Sequence, residues 1–313
     1  IVFGDWSSDV CSSDLFTGEQ RYDEETKKVL VSDVRIKRFI RDYLAEQTDE
    51  NGKKYQIFVS KFREESSEPQ KENSEAKPQE EKANKSKKSE SGASARMKGL
   101  KGQDGKSDAK EILCGCIDAR LFGAISTEEK NATNLTGPVQ FSLLNPSLNK
   151  VDRRIHQNTS VFVSSVDNKQ GAIGTTSVVP YSLNQIHGWI NPFAAKYTNL
   201  SDVDVNLMLK ALWESINISN TRSKSNQSSI LLLQLIYKDP CKKVYGLDRS
   251  IKLIPKDEKR DEQIRSMEDY DLDFGKLLEI AKNETIEKIN YYCEIENIKN
   301  SFTKNDKFKP LTL

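Results

Sequence analysis

Residues 30–47 read LVSDVRIKRFIRDYLAEQ, and the rest of the fold can be read outward from this stretch. Ser32 is a favourable N-cap residue, and the apolar side chains after it recur with a helical period. Those apolar residues are Ile36, Phe39, Ile40, Tyr43 and Leu44. The pattern predicts an amphipathic helix over about 32–47. Lys37, Arg38 and Arg41 lie off the apolar stripe, so they form either an exposed cationic edge that grips phosphates or an ordinary solvated face.

Beyond this helix the chain mixes helices with strands in no regular alternation. A second helix is predicted from Ser201, with acidic residues in its first turn, and residues 271–299 are predicted to be predominantly helical. Strands are predicted at 55–62, 112–117, 139–144, 178–183, 186–190 and 229–237. Strands and helices without strict alternation indicate an α+β fold rather than a doubly wound sheet.

Composition limits the class of protein. The 313 residues carry 48 Lys and Arg against 47 Asp and Glu, and this near-neutrality argues against nonspecific coating of nucleic acid while leaving room for a local basic groove. Five scattered cysteines make a poor disulfide framework and indicate a reducing compartment. No apolar run is long enough to span a bilayer. We therefore expect a cytoplasmic protein that does not interact with membranes.

Three segments differ from the rest of the chain. Residues 1–15, IVFGDWSSDVCSSDL, have no helical or strand period and resemble translated sequencing-adapter sequence; the other interpretation is a disordered native tail. Residues 63–110 are dominated by Glu, Lys, Ser, Gln, Pro and Gly, so we expect a disordered insertion. Residues 150–176 are polar as well, with Arg153 and Arg154 near their start, and predict a protruding hairpin or loop.

Residues that could carry out catalysis are scarce. The two histidines, His156 and His187, are far apart in sequence, and there is no nucleophile elbow or phosphate-binding glycine loop. Cys114 and Cys116 have no second pair at zinc-finger spacing, so we interpret them as buried strand residues. The sequence predicts no catalytic residue, no metal and no cofactor, and it predicts a structural role for His187.

Two polar segments contain further candidate residues. Residues 118–123 (DARLFG) follow a predicted buried strand, on which Asp118 and Arg120 would share a face and could pair. Residues 220–225 (NTRSKS) join the second helix to the apolar strand at 229–237. Arg222 and Lys224 among small polar donors suit contacts to a nucleic-acid backbone, although any such loop can contain them.

Six motifs, taken in order, resemble those of the backbone subunit of the type I-B Cascade CRISPR effector. They are LVSDVRIKRFIRDY (30–43), DARLFG (118–123), LTGPVQF (135–141), VPYSL (179–183), IHG (186–188) and NTRSK (220–224). The resemblance covers about Val29 to Leu253. It implies a ferredoxin-like palm of the RNA recognition motif type, with inserted finger and thumb segments in a right-hand shape. The family's first strand and the loop after it are not visible here, so we expect that strand to be missing or replaced.

On this resemblance the chain divides into five parts. These are an adapter-derived artefact (1–15), the first part of the palm (16–62), a disordered charged insertion (63–110), the palm with a thumb insertion at about 150–176 (111–253) and a C-terminal helical region (254–313).

The resemblance also implies a function. It is that of a non-catalytic subunit that binds CRISPR guide RNA, polymerises along it and presents it for pairing with target DNA in antiviral defence. The implied partners are guide RNA, target DNA through the guide, copies of the same chain in a helical filament, and other Cascade subunits. The expected RNA contacts are Lys37, Arg38, Arg41, Arg120, Arg153, Arg154, Asn220, Arg222 and Lys224.

Two alternatives from other classes remain open. One is an RNA-cleaving backbone subunit like those of type III effectors, for which Asp118 is the candidate carboxylate. The other is a plain protein-interaction module that uses the charged insertion and has no basic groove.

Overall fold

The computed structural model describes part of the chain. The described residues are 2–6, 20–60, 96–97, 100, 108–126, 132–159, 173–219 and 226–313; for 2–6, 158–159 and 173–176 only the backbone is considered. The architecture is mixed α+β, as the sequence predicted, with one five-stranded sheet and several small sheets in the described part. No helix among these residues is both long and apolar enough to cross a membrane.

The helices and strands of the described residues follow in chain order. The strands are β1 (Val2–Trp6), β2 (Tyr22–Asp23), β3 (Lys28–Ser32), β4 (Gly123–Ser126), β5 (Thr133–Thr136), β6 (Val139–Phe141), β7 (Leu144–Pro146), β8 (Arg154–Thr159), β9 (Ile173–Val178), β10 (Ser182–Ile186), β11 (Gly188–Ile190), β12 (Gln227–Tyr237), β13 (Lys252–Pro255), β14 (Tyr270–Asp273), β15 (Ile286–Tyr292) and β16 (Phe308–Pro310). The α-helices are α1 (Asp33–Glu46), α2 (Ala109–Gly115), α3 (Ile117–Phe122), α4 (Pro192–Thr198), α5 (Asp202–Ile218), α6 (Gly275–Ala281) and α7 (Glu296–Phe302).

The five-stranded sheet has the order β10-β1-β12-β15-β16 and is antiparallel except for the β15–β16 pair. Strand β1 lies inside it, where Gly4 is opposite Asn184 on β10 and Ser229 on β12. Of the two alternatives expected for the first strand, missing or replaced, the first is wrong, because residues 2–6 occupy an interior position of the sheet. Strand pairing uses backbone donors and acceptors, so a segment of low β-propensity can fill an interior position. The adapter origin of residues 1–15 stays a prediction.

Both faces of this sheet are covered. Helices α1 and α5 pack on one face, where their apolar side chains meet Ile186 of β10 and Leu232 of β12. The opposite face presents Leu183, Leu231 and Leu233 to the C-terminal helices. The helices predicted at 32–47 and from Ser201 are confirmed, and the second begins with a capping box of Ser201 and Asp204.

A small third cluster lies beside this core. Phe58, Met97, Leu113 and Cys116 are buried together in it, and Arg96 donates a 2.8 Å hydrogen bond to the carbonyl of Ile57. The prediction of a disordered insertion over 63–110 is therefore wrong for its described residues near the C-terminal end. Residues 63–95, 98–99 and 101–107 of the expected insertion lie outside the described residues.

Three predicted elements have a different structure. Residues 112–117, predicted as a strand, fall in α2 and the start of α3, because a short apolar run satisfies a buried helix as well as a strand. Residues 55–60 contain no strand. Residues 271–299 contain β15 and parts of β14 and α7 in addition to α6, so the expected C-terminal helical region is wrong. Apolar residues at the spacing of one helix face are equally compatible with two short helices separated by a buried strand, so the spacing alone did not distinguish these arrangements.

Candidate nucleic-acid interface

The three cations predicted on α1 are held by carboxylates. The Lys37 Nζ lies 3.1 Å from an oxygen of Asp33, and the Arg38 Nε lies 2.7 Å from an oxygen of Asp42. The side chains of Lys37 and Arg41 are each 14% exposed, and that of Arg38 is 34% exposed. The prediction of one exposed cationic edge is therefore wrong, because two of its three members lie largely inside the fold.

Asp118 on α3 is the partner of Arg41. One carboxylate oxygen accepts from Arg41 Nε at 3.0 Å and from the Val59 N–H at 3.0 Å, and the other accepts from the Phe58 N–H at 2.7 Å. Its side chain is 1% exposed. The predicted pairing with Arg120 is wrong, because residues two positions apart on a helix point to different sides. Asp118 instead joins α1, α3 and the segment after α1.

Arg120 fastens α3 to the start of α5. Its guanidinium makes two hydrogen bonds to Asp204, of 2.6 and 3.0 Å, and a third of 2.9 Å to the carbonyl of Cys114. Burial alone would raise the pKa of Asp204, but the hydrogen bonds from Arg120 and Ser201 lower it below its usual value. The bidentate geometry is the strong form of an arginine–carboxylate pair. In the described structure Arg120 is thus held by protein acceptors.

The end of α3 brings three of the six motifs into contact. The guanidinium of Arg41 lies 5.2 Å from the centroid of the Phe122 ring, and Lys37 Nζ lies 5.8 Å from it. Gly123 has a φ of +79°, and its backbone crosses that of Gly137 so closely that a methyl group on either glycine would lie within 3 Å of the other strand's backbone. The DARLFG and LTGPVQF motifs therefore form one structural unit.

The polar region predicted at 150–176 contains a hairpin of β8 and β9. Residues 150–154, here called the hairpin root, are anchored by contacts with Tyr22. The Tyr22 hydroxyl donates a 2.8 Å hydrogen bond to the carbonyl of Val151. The Arg153 guanidinium lies 4.6 Å from the centroid of the Tyr22 ring and pairs with Glu24. Arg154, the first residue of β8, is exposed and makes no ion pair with the described residues. Among the predicted RNA contact regions that the structure describes, this root is the one that presents a cation without an ion pair.

Further cations lie at the same root, and sequence reasoning missed them. The Val151 N–H donates to the carbonyl of Lys27 at 2.8 Å, and the Lys150 N–H donates to Asp261 at 3.1 Å. Burial lowers the pKa of Lys28, with nearby Asp261 opposing that shift. These residues are distant in sequence, so no local pattern could have grouped them. Asn220, Arg222 and Lys224 lie outside the described residues.

The histidine and cysteine side chains fit structural roles. The backbone N–H of His187 donates a 2.9 Å hydrogen bond to the side-chain oxygen of Asn145, and burial lowers the pKa of the His187 ring to about 4. Cys116 is buried, as predicted, although on a helix, and burial raises the pKa of its thiol to about 11. Within the described ranges no three His, Cys, Asp or Glu side chains are grouped to hold a metal ion.

His187 is expected to make the protein less stable as pH falls. An unfolded chain binds a proton on this ring near pH 6.5, whereas the folded state resists protonation down to about pH 4. The contribution of His187 to the free energy of unfolding is therefore fully present above pH 6.5 and is lost progressively between pH 6.5 and 4. A pKa difference of this size corresponds to a loss of about 3 kcal/mol from His187 between pH 6.5 and 4. Urea denaturation of His187→Gln should lack this component, and an identical pH dependence in the variant would contradict it.

Comparison with known families accounts for the motifs. The family model for CRISPR-associated protein Cas7 matches residues 10–275, a span that contains all six motifs. The chain belongs to the Cas7 family. The resemblance to a CRISPR backbone subunit is confirmed at that level.

Relatives of this Cas7 chain include a curated protein and solved structures. The CRISPR-associated protein Cas7 of Haloferax volcanii is 26% identical over 293 residues, which cover 86% of this chain and 76% of the relative. A chain of a CRISPR RNA-guided surveillance complex aligns with a TM-score of 0.47 at 11% identity, covering 94% of this chain and 89% of the other. A chain of such a complex in a pre-nicking state gives 0.47 at 12% identity, covering 100% and 96%.

Proposed function

We propose that this Cas7 protein is a non-catalytic subunit of a type I-B Cascade that binds CRISPR guide RNA. In the proposal it polymerises along the guide in the cytoplasm, contacts other Cascade subunits and presents the guide for pairing with target DNA. Its palm is of the RNA recognition motif type, with the β8–β9 hairpin as the thumb of a right hand. Membership of the Cas7 family supports this proposal.

The observation that carries the RNA-binding assignment is the anchored root of the β8–β9 hairpin. Contacts of Tyr22 with Val151 and Arg153 hold the segment that leads into β8 against β2, and Arg154 follows at once with its charge open to solvent. A cation on a fixed support can position a phosphate at little cost in side-chain entropy. Such contacts position the RNA without reading its sequence, which suits a guide whose bases must stay available for pairing.

The nine predicted contact residues divide by their surroundings. We place direct phosphate contacts at Arg38, Arg153 and Arg154, whose surroundings leave them partly or fully accessible. The remaining six are Lys37, Arg41 and Arg120, which in this proposal hold the helices in position, and Asn220, Arg222 and Lys224, which lie outside the described residues and whose RNA contacts stay a prediction.

The buried environment of Asp118 argues against an RNA-cleaving subunit. A cleaving carboxylate must reach the RNA or a metal ion beside it. The Asp118 oxygens instead accept from Arg41 and two backbone N–H groups, with 1% of the side chain exposed. A metal-dependent cleavage assay on the purified complex tests this alternative, and product formation that depends on Asp118 would establish it.

Reversing both charges at the hairpin root is expected to release guide RNA. The double variant Arg153→Glu, Arg154→Glu should co-purify with at least about tenfold less small RNA, because two phosphate contacts are replaced by repulsion. The matched control is Lys304→Glu with Lys309→Glu, an equal charge change at exposed lysines elsewhere. Unchanged RNA in the first variant would contradict the assignment. Absence of uniform small RNA from the wild type would favour a plain interaction module.

A further inference from the structure

Two aromatic side chains lie exposed near one another on β11 and in the loop after β12. Trp189 is 45% exposed and Tyr245 is 91% exposed, and neither belongs to a hydrophobic cluster of the described residues. The Lys243 Nζ lies 4.7 Å from the centroid of the Trp189 ring. Tyr245 is two residues further along, so its Cα lies within about 7 Å of that of Lys243. Trp189 is therefore in contact with Lys243, Tyr245 follows Lys243 closely along the chain, and neither ring belongs to a core cluster of the described residues.

The charges around these rings are predominantly positive. Lys238, Lys242 and Lys243 are exposed in the same loop and make no ion pair with the described residues. Lys276 adds a fourth cation, since its Nζ lies 3.4 Å from the position that a Cβ on Gly246 would take.

The acidic residues of the loop have partners of their own. Asp239 accepts from the N–H of Cys241 at 2.9 Å and so caps a turn, and Asp248 lies 3.6 Å from Arg249. Residues 238–249 together with Lys276 therefore carry five basic side chains against the two carboxylates of Asp239 and Asp248, which leaves an excess of positive charge around the rings.

This surface lies at the opposite end of the sheet from the hairpin root. Strand β9 leads into β10 near Ser182, whereas β11 follows the other end of β10, after Ile186. Gln227 and Ser182 are both paired with Trp6, so they lie at the same end of the sheet. Tyr237 is ten residues further along β12, about 30 Å away. The loop that carries Tyr245 begins there.

We propose that Trp189, Tyr245 and the surrounding lysines form a second binding surface for single-stranded nucleic acid. Bases stack on the two rings, and the lysines neutralise the adjoining phosphates. An apolar protein partner would match the rings but would leave four lysines uncompensated. A single strand supplies both a flat aromatic face and a negative charge at every step.

The inference rests on the proposed function, because a subunit that holds a guide during pairing has a second strand to retain. That strand is either a further stretch of RNA or single-stranded DNA. Both present the same stacking faces and phosphates, and the test separates them.

The experiment uses the full chain assembled with its guide RNA and fluorescence anisotropy with labelled oligo-dT, oligo-U and a DNA duplex. Replacing both rings, Trp189→Ala with Tyr245→Ala, should weaken both single-stranded probes about tenfold or more and leave the duplex unaffected. Lys242→Glu with Lys243→Glu should reduce the slope of log affinity against log salt by about 1.4. Lys53→Glu with Lys282→Glu, an equal charge change at exposed sites, should change neither. Ring-dependent binding of either single-stranded probe supports the surface. If oligo-dT binds more tightly than oligo-U, the strand is DNA; the reverse order identifies it as RNA.

The outcomes separate the inference from the proposed function. If guide RNA co-purifies but the ring variant binds the probes within about twofold of the wild type, the inference is overturned and the proposed function stands. If no guide RNA co-purifies with the wild type, the proposed function fails. If the ring variant loses assembly with other copies at unchanged probe affinity, the surface is a protein interface and the inference is wrong. Tyr245→Ala alone repeats the test at a side chain too exposed to affect folding.

Discussion

Replacing Gly123 or Gly137 with alanine is expected to leave most of the chain unfolded under conditions in which the wild type is folded. A methyl group at Gly123 would lie within 3 Å of the carbonyl oxygen of Leu135, and one at Gly137 would lie within 3 Å of the backbone of Phe122. Backbone atoms cannot move aside as a flexible side chain can, so the two strands would have to separate. At Gly123 a positive φ adds strain for any residue with a side chain.

The expected loss in the free energy of unfolding is at least about 4 kcal/mol for either variant, as for the severest overpacking in a core. Thermal melting followed by circular dichroism would measure it. Gly115→Ala is the matched control, because no atom lies within 4 Å of its added methyl and the residue ends a helix, where alanine is well tolerated. If the Gly123 and Gly137 variants melted within a few degrees of this control, the two backbones would be less closely packed at these glycines than the structure shows.

Removing the Asp118 carboxylate is expected to have the second-largest effect. In Asp118→Ala the guanidinium of Arg41 loses its partner, and the N–H groups of Phe58 and Val59 lose their acceptor inside the fold. Breaking a buried ion pair on one side costs about 3–5 kcal/mol, because the remaining charge stays desolvated. Urea denaturation should show this loss as a lower midpoint with an unchanged slope.

Asp42→Ala provides the control for that measurement. Asp42 also pairs with an arginine of α1, at 2.7 Å from Arg38, but its side chain is 57% exposed. An exposed pair of this kind contributes at most about 0.5 kcal/mol. Equal losses in the two aspartate variants would mean that Asp118 is not the buried junction described above.

Local signals were sufficient for several elements. The apolar spacing after Ser32, the capping box of Ser201 and Asp204 and the apolar run at 229–237 each lie within one element, and all three elements are present as predicted. Six short motifs in order along the chain also identified the family, because each motif is recognised from adjacent residues alone. Residues 112–117 were misassigned, since their apolar run suited a strand and a helix equally.

Sequence alone thus determined the α+β class, the main helices, the longest strand and the family, all of which depend on patterns between near neighbours. The tertiary structure decided which charges are available. Arg41 and Asp118 are 77 positions apart, and Arg120 and Asp204 are 84 apart, yet each pair is in direct contact. Whether a cation faces solvent or a carboxylate depends on which distant segment packs against it. The same packing brings Trp189 and Lys243, which are 54 positions apart, into contact.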